Sequence, residues 1–426
     1  MQRTIEPAAR LHGMLKVPGD KSISHRALIL GVIARGRHII DGLSPAEDVR
    51  RTTQALRDLG CFVETMPDGS TMILSHDIAE EAVVDAGNSG TTARLLAGLV
   101  AGLKTTVRID GDESLRRRPM ARIAEPLAAM GAAITTGPEG CLPITIRGGG
   151  LHGVRYELPV ASAQVKSAIL IAGLNASGET TVVEPAPSRD HTEIMMRAMG
   201  VDVRCEGNEI TVPGGVSLQG AHISIPGDPS SAAFLAAAAS CLPDSEVYMP
   251  ITGINPTRWG FMEILSEMGA DIMIENEHKM SGEPVADVIV RTPADGLHAV
   301  TVDDPARVVA CIDELPLLAV VATQAEGETV VRGAGELRVK ESDRIAAIVS
   351  NVAAMGGDIE ELEDGFIVRG PTPLRGANVS THGDHRIAMA MAVAALLAKE
   401  PTTLDDASVV EISYPDFFTD LSTLLR

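Results

Sequence analysis

Residues 355–360 read MGGDIE. The same short tag occurs four times earlier, as LGCFVE at 59–64, MGAAIT at 130–135, MGVDVR at 199–204 and MGADIM at 268–273. Its glycines (Gly60, Gly131, Gly200, Gly269 and Gly356) stand 71, 69, 69 and 87 residues apart. A glycine after a helical run suits the left-handed position that ends a helix. A small or β-branched residue just beyond it suits the start of a strand. Each tag therefore predicts a helix, a tight stop and a strand, and its recurrence marks one structural unit used repeatedly.

A second series interleaves with the first. Six polar starts precede Ala- and Leu-rich runs: GDKSISHRALIL, GNSGTTARLLAGL, ASAQVKSAILIAGL, GDPSSAAFLAAAAS, DELPLLAVVA and GDHRIAMAMAVAAL. Helices this apolar all round belong inside a domain. Each repeat then holds two helices and several short strands, which gives an α/β (α+β) fold. Six units divide into three plus three. Residues 19–228 are expected to form one continuous domain, and residues 1–18 with 229–426 a discontinuous one. The sixth repeat lacks its tag. DFFTDLSTLL near the C-terminus is expected to be its second helix, with strands supplied from 1–18.

Composition narrows the function classes. The chain has 426 residues, enough for two cores, with 45% hydrophobic and 22% charged residues, as in a globular protein. Aromatics are only 2%, too few for the stacking platforms of single-stranded nucleic-acid binders. A net charge of -21 opposes non-specific attachment to nucleic acid or an anionic membrane. The five cysteines show no CxxC spacing, which predicts neither a zinc site nor a disulfide framework. The segment MQRTIEPAAR lacks the apolar core of a signal peptide, and AMAMAVAALLA at 388–398 is too short to span a bilayer. A cytoplasmic monomer is expected.

Within this acidic chain, cations gather at the helix starts: Lys21 and Arg26, Arg94, Lys166, and His385 with Arg386. Helix N-termini present unpaired N–H groups and a positive dipole end. Added cations make such mouths anion sites. GDKS looks like the tail of a phosphate-binding P-loop, but MLKVPGD ahead of Lys21 lacks the required glycine spacing. Two further charged segments stand out. DESLRRRPMAR at 112–122 places Arg118 before Pro119, a good helix opener. ELRVKESDRI at 336–345 alternates sign, as a surface helix does.

Taken together, GDKSISHRALIL, GNSGTTARLL, RRRPM, SAQVKSA, SRDHTE, DELP, RVKESDRI and GDHRIAMA resemble the 5-enolpyruvylshikimate-3-phosphate synthase family of enolpyruvyl transferases. The resemblance runs along nearly the whole chain. With Asn255 to Arg258 (NPTR) it is similar to the branch often called class II. It implies two domains of three βαβαββ units each, with the site in a cleft that closes on its ligands. It also implies transfer of an enolpyruvyl group from phosphoenolpyruvate to the 5-hydroxyl of shikimate 3-phosphate, by addition and elimination, with no metal and no organic cofactor.

By the same resemblance Lys21, Gly90, Arg118, Gln164, Arg344 and Arg386 hold phosphoenolpyruvate, with His385 beside them. Ser22, Arg26, Ser162, Ala163, Gln164, Ser188, Asp313 and Lys340 hold shikimate 3-phosphate, and Lys166 joins its phosphate site. Asp313, Glu341 and Lys21 are the implied catalytic groups, Asp313 facing the hydroxyl and Glu341 the methylene carbon. The chain departs from some members at Glu336, at Ile412 and at His191. The sibling that acts on UDP-N-acetylglucosamine carries a loop cysteine, whereas 112–118 here has none. A non-catalytic clamp built of repeats is the other alternative, and a nucleic-acid clamp would need a basic face.

Overall fold

The tag glycines all adopt the left-handed conformation, with φ of 85° at Gly60, 110° at Gly131, 90° at Gly200, 102° at Gly269 and 86° at Gly356. Around each runs the same pair of hydrogen bonds. At the last tag Gly356 N–H donates to the Ala353 carbonyl and Gly357 N–H to Val352. At the first, Gly60 donates to Arg57 and Cys61 to Leu56. These are the two bonds of a Schellman stop, which satisfies carbonyls that a helix end leaves unpaired. The five stopped helices are Glu47–Asp58, Ala121–Ala129, His191–Ala198, Gly260–Glu267 and Arg344–Ala354.

The computed structural model describes residues 1–74 and 78–425. The chain divides into two compact units. A terminal unit comprises Met1–Pro18, Pro226–Lys279 and Pro284–Arg426. An inserted unit comprises Gly19–Ile225 together with Met280–Glu283.

Each unit has its own apolar core, and three buried helices run through each core. We label the six α1 (Lys21–Ile33), α2 (Gly90–Ala101), α3 (Ala163–Gly173), α4 (Pro229–Cys241), α5 (Leu315–Ala322) and α6 (His385–Leu397). Residues all around α4 and α6 are buried, as their sequences require. Small residues let the helices approach closely. A Cβ at Gly98 of α2 would stand 2.3 Å from the Ala168 carbonyl oxygen of α3, so that contact admits only glycine.

Among the described residues the strands form three small sheets in each unit. In the inserted unit Glu81–Asp85 and Thr106–Asp110 run parallel, joined through α2. Ile144–Arg147 and then Ala133–Thr135 add antiparallel. Arg155–Glu157, Thr180–Val183, Glu209–Val212 and Arg204–Glu206 repeat the pattern. The third sheet takes its first strand, His222–Ser224, from the far end of the unit. In the terminal unit His12–Met14 opens one sheet beside Glu246–Gly253. Arg3–Ile5 pairs with Thr402–Leu404 in another, and the helix Phe417–Leu424 completes the sixth repeat. The repeat is thus βαβαββ, and the chain's two ends close the terminal unit.

Side-chain caps fix where five of the six buried helices begin. Asp20, Ser89, Ser162, Asp228 and Asp384 each accept from a backbone N–H of the first turn. Two local expectations change. ELRVKESDRI is not one surface helix: Gly335–Val339 is a 3-10 turn, and Asp343 caps a new helix that begins with buried Arg344. Pro119 lies just ahead of the helix Ala121–Ala129, whose N-cap is Met120.

Candidate active site

The mouth of α1 sets the first group of cations. Lys21 opens the helix and its Nζ donates to Asp48 Oδ2 at 2.8 Å. One turn on, Arg26 is 2% exposed. Its Nε donates to Thr192 Oγ1 at 2.7 Å, and its NH2 to Ser167 Oγ at 2.9 Å. Its NH1 reaches the carbonyl of Ser22 at 2.9 Å. These hydroxyls and the carbonyl fix the direction in which the buried guanidinium points. Arg189 adds another cation here, its NH1 lying 3.5 Å from Ser22 Oγ. The SRDHTE motif contains it, but the sequence reading assigned it no role.

At the mouth of α3, Ser162, Ala163 and Gln164 are half-buried. Gln164 bridges to α2: its Nε2 donates to Thr91 Oγ1 at 2.8 Å, and its Oε1 accepts from Arg94 NH1 at 2.5 Å. Gly90 opens α2. A Cβ there would stand 3.3 Å from NH1 of both Arg118 and Arg94, so glycine leaves room for the two guanidinium groups. Arg118 is held through NH2 by Asn88 Oδ1 at 2.9 Å, and Asn88 in turn donates to Asp112 at 2.8 Å. His25 lies behind this surface. Burial, with Lys21 and Arg26 nearby, holds it well below the usual histidine range. It belongs to a buried polar chain. His25 Nδ1 meets Thr52 Oγ1 at 2.7 Å, Thr52 meets Thr92 at 2.7 Å, and Thr92 donates to the Ser89 cap at 2.8 Å.

One expectation in this unit needs correction. Lys166 does not present its ammonium to a ligand. It is 1% exposed, with Glu193 Oε1 at 2.7 Å, Glu184 Oε2 at 2.9 Å and the Ser188 carbonyl at 3.3 Å. Burial acts to lower its pKa, but Glu193 and Glu184 outweigh that and raise it. Ser188 itself donates its hydroxyl to Glu184. His191, where some relatives differ, is buried and pairs through Nδ1 with Glu283 at 2.8 Å.

The terminal unit carries a different cluster. Arg344 is 2% exposed and is held by three carboxylates. NH1 meets Asp313 at 3.2 Å, NH2 meets Glu341 at 2.6 Å and Nε meets Asp384 at 2.8 Å. Burial would lower this guanidinium's pKa, but Asp384, Glu341 and Asp313 together raise it. Lys340 is half-buried beside them. Burial pulls its ammonium below the usual lysine range; Arg344 adds to this, and Asp313, Glu336 and Glu341 oppose it. His385 and Arg386 open α6. Arg386 NH1 meets Glu314 at 3.2 Å, and burial raises the pKa of Glu314 although Arg386 opposes it.

One guanidinium therefore gathers both sequence-nominated acid–base carboxylates. Groups that can give and take protons within one hydrogen-bonded cluster suit general acid–base chemistry. The sequence reading missed Asp384, Glu314 and Asp48, each the partner of a nominated cation. Asp384 and Glu314 stand beside nominated residues in GDHR and DELP, but the pairings lie 40 and 72 residues apart and only the fold makes them. Among the described residues, no group of three or more His, Cys, Asp or Glu is arranged to hold a metal ion. No described helix is long and apolar enough to cross a membrane.

A family model described as EPSP synthase (3-phosphoshikimate 1-carboxyvinyltransferase) matches residues 5–421. The 3-phosphoshikimate 1-carboxyvinyltransferase of Geobacillus kaustophilus (strain HTA426) is 49% identical over 424 residues, covering 97% of this chain and 98% of the relative. That of Anaeromyxobacter sp. (strain Fw109-5) is 50% identical over 417 residues, covering 97% and 96%. A 2.37 Å structure of EPSP synthase from Acinetobacter baumannii superposes with a TM-score of 0.88 at 43% identity, covering 100% of this chain and 98% of that one. The enolpyruvyl transferase NikO from Streptomyces tendae shares the fold, with a TM-score of 0.78 at 18% identity over 99% of this chain and 96% of that one.

Proposed function

The chain belongs to the EPSP synthase family, and on that premise we infer that it transfers the enolpyruvyl group of phosphoenolpyruvate to the 5-hydroxyl of shikimate 3-phosphate, releasing phosphate. The observation that carries the chemistry is the placing of Asp313 and Glu341 on one buried guanidinium, Arg344. In the addition, the 5-oxygen bonds to the enol carbon as its proton passes to Asp313, and the methylene carbon takes a proton from Glu341. In the elimination that carbon returns a proton, the carbon–oxygen bond to phosphate breaks, and inorganic phosphate leaves.

Each unit has its own share of this work. In the inserted unit Ser22, Arg26, Ser162, Ala163, Gln164 and Ser188 bind shikimate 3-phosphate, joined by Arg189. Lys21, Gly90 and Arg118 with Gln164 take phosphoenolpyruvate, whose phosphate and carboxylate suit arginine forks. In the terminal unit Arg344, Arg386 and His385 are assigned to phosphoenolpyruvate, and Asp313 and Lys340 to shikimate 3-phosphate. Lys21 donates to Asp48 at 2.8 Å, which fixes its position for proton transfer. The reading carries with it a cytoplasmic, monomeric enzyme.

Phosphate release tests it. Purified protein with phosphoenolpyruvate and shikimate 3-phosphate should release phosphate. Release only with UDP-N-acetylglucosamine in place of shikimate 3-phosphate would reverse the assignment.

A further inference from the structure

Ser188 has one hydroxyl hydrogen, and it is already given away. Its acceptor is Glu184 Oε1. The other oxygen of Glu184 accepts from Lys166 at 2.9 Å, so this residue pairs as a carboxylate and offers only lone pairs. Lys166 also grips the Ser188 carbonyl at 3.3 Å and Glu193 at 2.7 Å. All four residues are buried. The cluster ties α3 to the segment 184–193, which carries Ser188 and Arg189 beside Ser22.

We propose that Glu184, held by Lys166, is a positioning residue that sets the affinity for the substrate phosphate by holding the Ser188 hydroxyl. The inference rests on the reading that Ser188 meets the phosphate of shikimate 3-phosphate. A serine hydroxyl cannot donate its one hydrogen to Glu184 and to a phosphate oxygen together. Binding therefore exchanges one charge-assisted bond for another, and the hydroxyl adds little net affinity. While Ser188 stays with Glu184, only its lone pairs face a phosphate, which repels them. Glutamine at 184 reverses the polarity. Its amide oxygen accepts from Lys166, its NH2 donates to Ser188 Oγ, and the serine hydrogen is released to the phosphate.

A double-mutant cycle across the two positions tests this. In the wild type, Ser188→Ala should raise the KM for shikimate 3-phosphate by less than about threefold, since the lost hydroxyl was committed elsewhere. Glu184→Gln should lower that KM, by roughly threefold to tenfold, and the change should fall on KM more than on kcat. In the Glu184→Gln background, Ser188→Ala should cost about tenfold, because there the hydroxyl serves the ligand. An equal Ser188→Ala effect in both backgrounds overturns the proposal. If Glu184→Gln does not fold, Ser188→Ala alone decides: a rise above about threefold in the wild type also overturns it. Absence of wild-type turnover with shikimate 3-phosphate would instead overturn the functional reading, and this inference with it.

Discussion

The same repeat builds both units, yet the buried arginines near their helix mouths are held in different ways. Arg26 in the inserted unit is held by two hydroxyls and a carbonyl. Arg344 in the terminal unit is held by three carboxylates. The first arrangement fixes the direction of a guanidinium through neutral oxygens, which suits aiming it at a phosphate. The second sets Asp313, Glu341 and Asp384 around one cation, which fixes carboxyl groups in place for proton transfer. On the proposed function, Arg26 serves binding while the carboxyl groups on Arg344 serve proton transfer, and the partners of each buried arginine mark the difference.

The largest effect that bears on this comparison is on turnover. Asp313→Asn or Glu341→Gln should cut kcat by about 10²–10⁴-fold, measured by phosphate release, because each removes a proton-transfer group. A loss below tenfold for both would place the chemistry elsewhere. Next comes stability. Arg344→Met leaves three carboxylates without their shared cation and should cost about 3–5 kcal/mol. Arg26→Met removes the hydrogen bonds to Thr192, Ser167 and the Ser22 carbonyl and should cost about 1–3 kcal/mol. Denaturant titrations giving equal losses would erase the contrast between the halves.

A pH effect belongs to the inserted unit. Burial, its largest cause, lowers His38 from the ordinary histidine value of 6.5 to about 4. The unfolded chain therefore takes up a proton in that window and the native chain does not. Stability present above pH 6.5 is lost as pH falls toward 4, by up to about 3 kcal/mol. His25, also lowered by burial, acts in the same direction, whereas Glu193, raised by burial, acts in the other. Comparing unfolding midpoints of wild type and His38→Gln at pH 7.5 and 5 isolates the His38 share. A wild-type difference that survives the substitution would assign the effect to other groups. Smallest and symmetric is the tag itself. Gly60→Ala and Gly356→Ala each force a side chain into the left-handed region and should each cost about 1–2 kcal/mol. A marked difference between them would show that the two units do not use the stop alike.

Much of this was legible in the residues. The period-70 tag foretold five Schellman stops, and the polar–apolar starts foretold six buried helices, because backbone conformation and amphipathicity are local properties. The charged segment 336–345 was misread for the same reason. Alternating sign says nothing about a break at Asp343 that turns Arg344 inward. Lys166 shows a further limit. Its place in SAQVK suggested a ligand contact, whereas its fate was decided by Glu184 and Glu193, 18 and 27 residues further along the chain. Glu314 likewise stood next to a nominated residue, but only the fold brings it to Arg386.

The division of labour between the halves is tested most directly by measuring binding and turnover on the same two variants. Shikimate 3-phosphate affinity by calorimetry and kcat by phosphate release would be compared for Glu341→Gln and Arg26→Ala. The account predicts that Glu341→Gln binds within about threefold of wild type while its turnover falls at least a hundredfold. It predicts that Arg26→Ala loses affinity by ten- to a hundredfold. Loss of affinity in Glu341→Gln with turnover at saturation intact would contradict it.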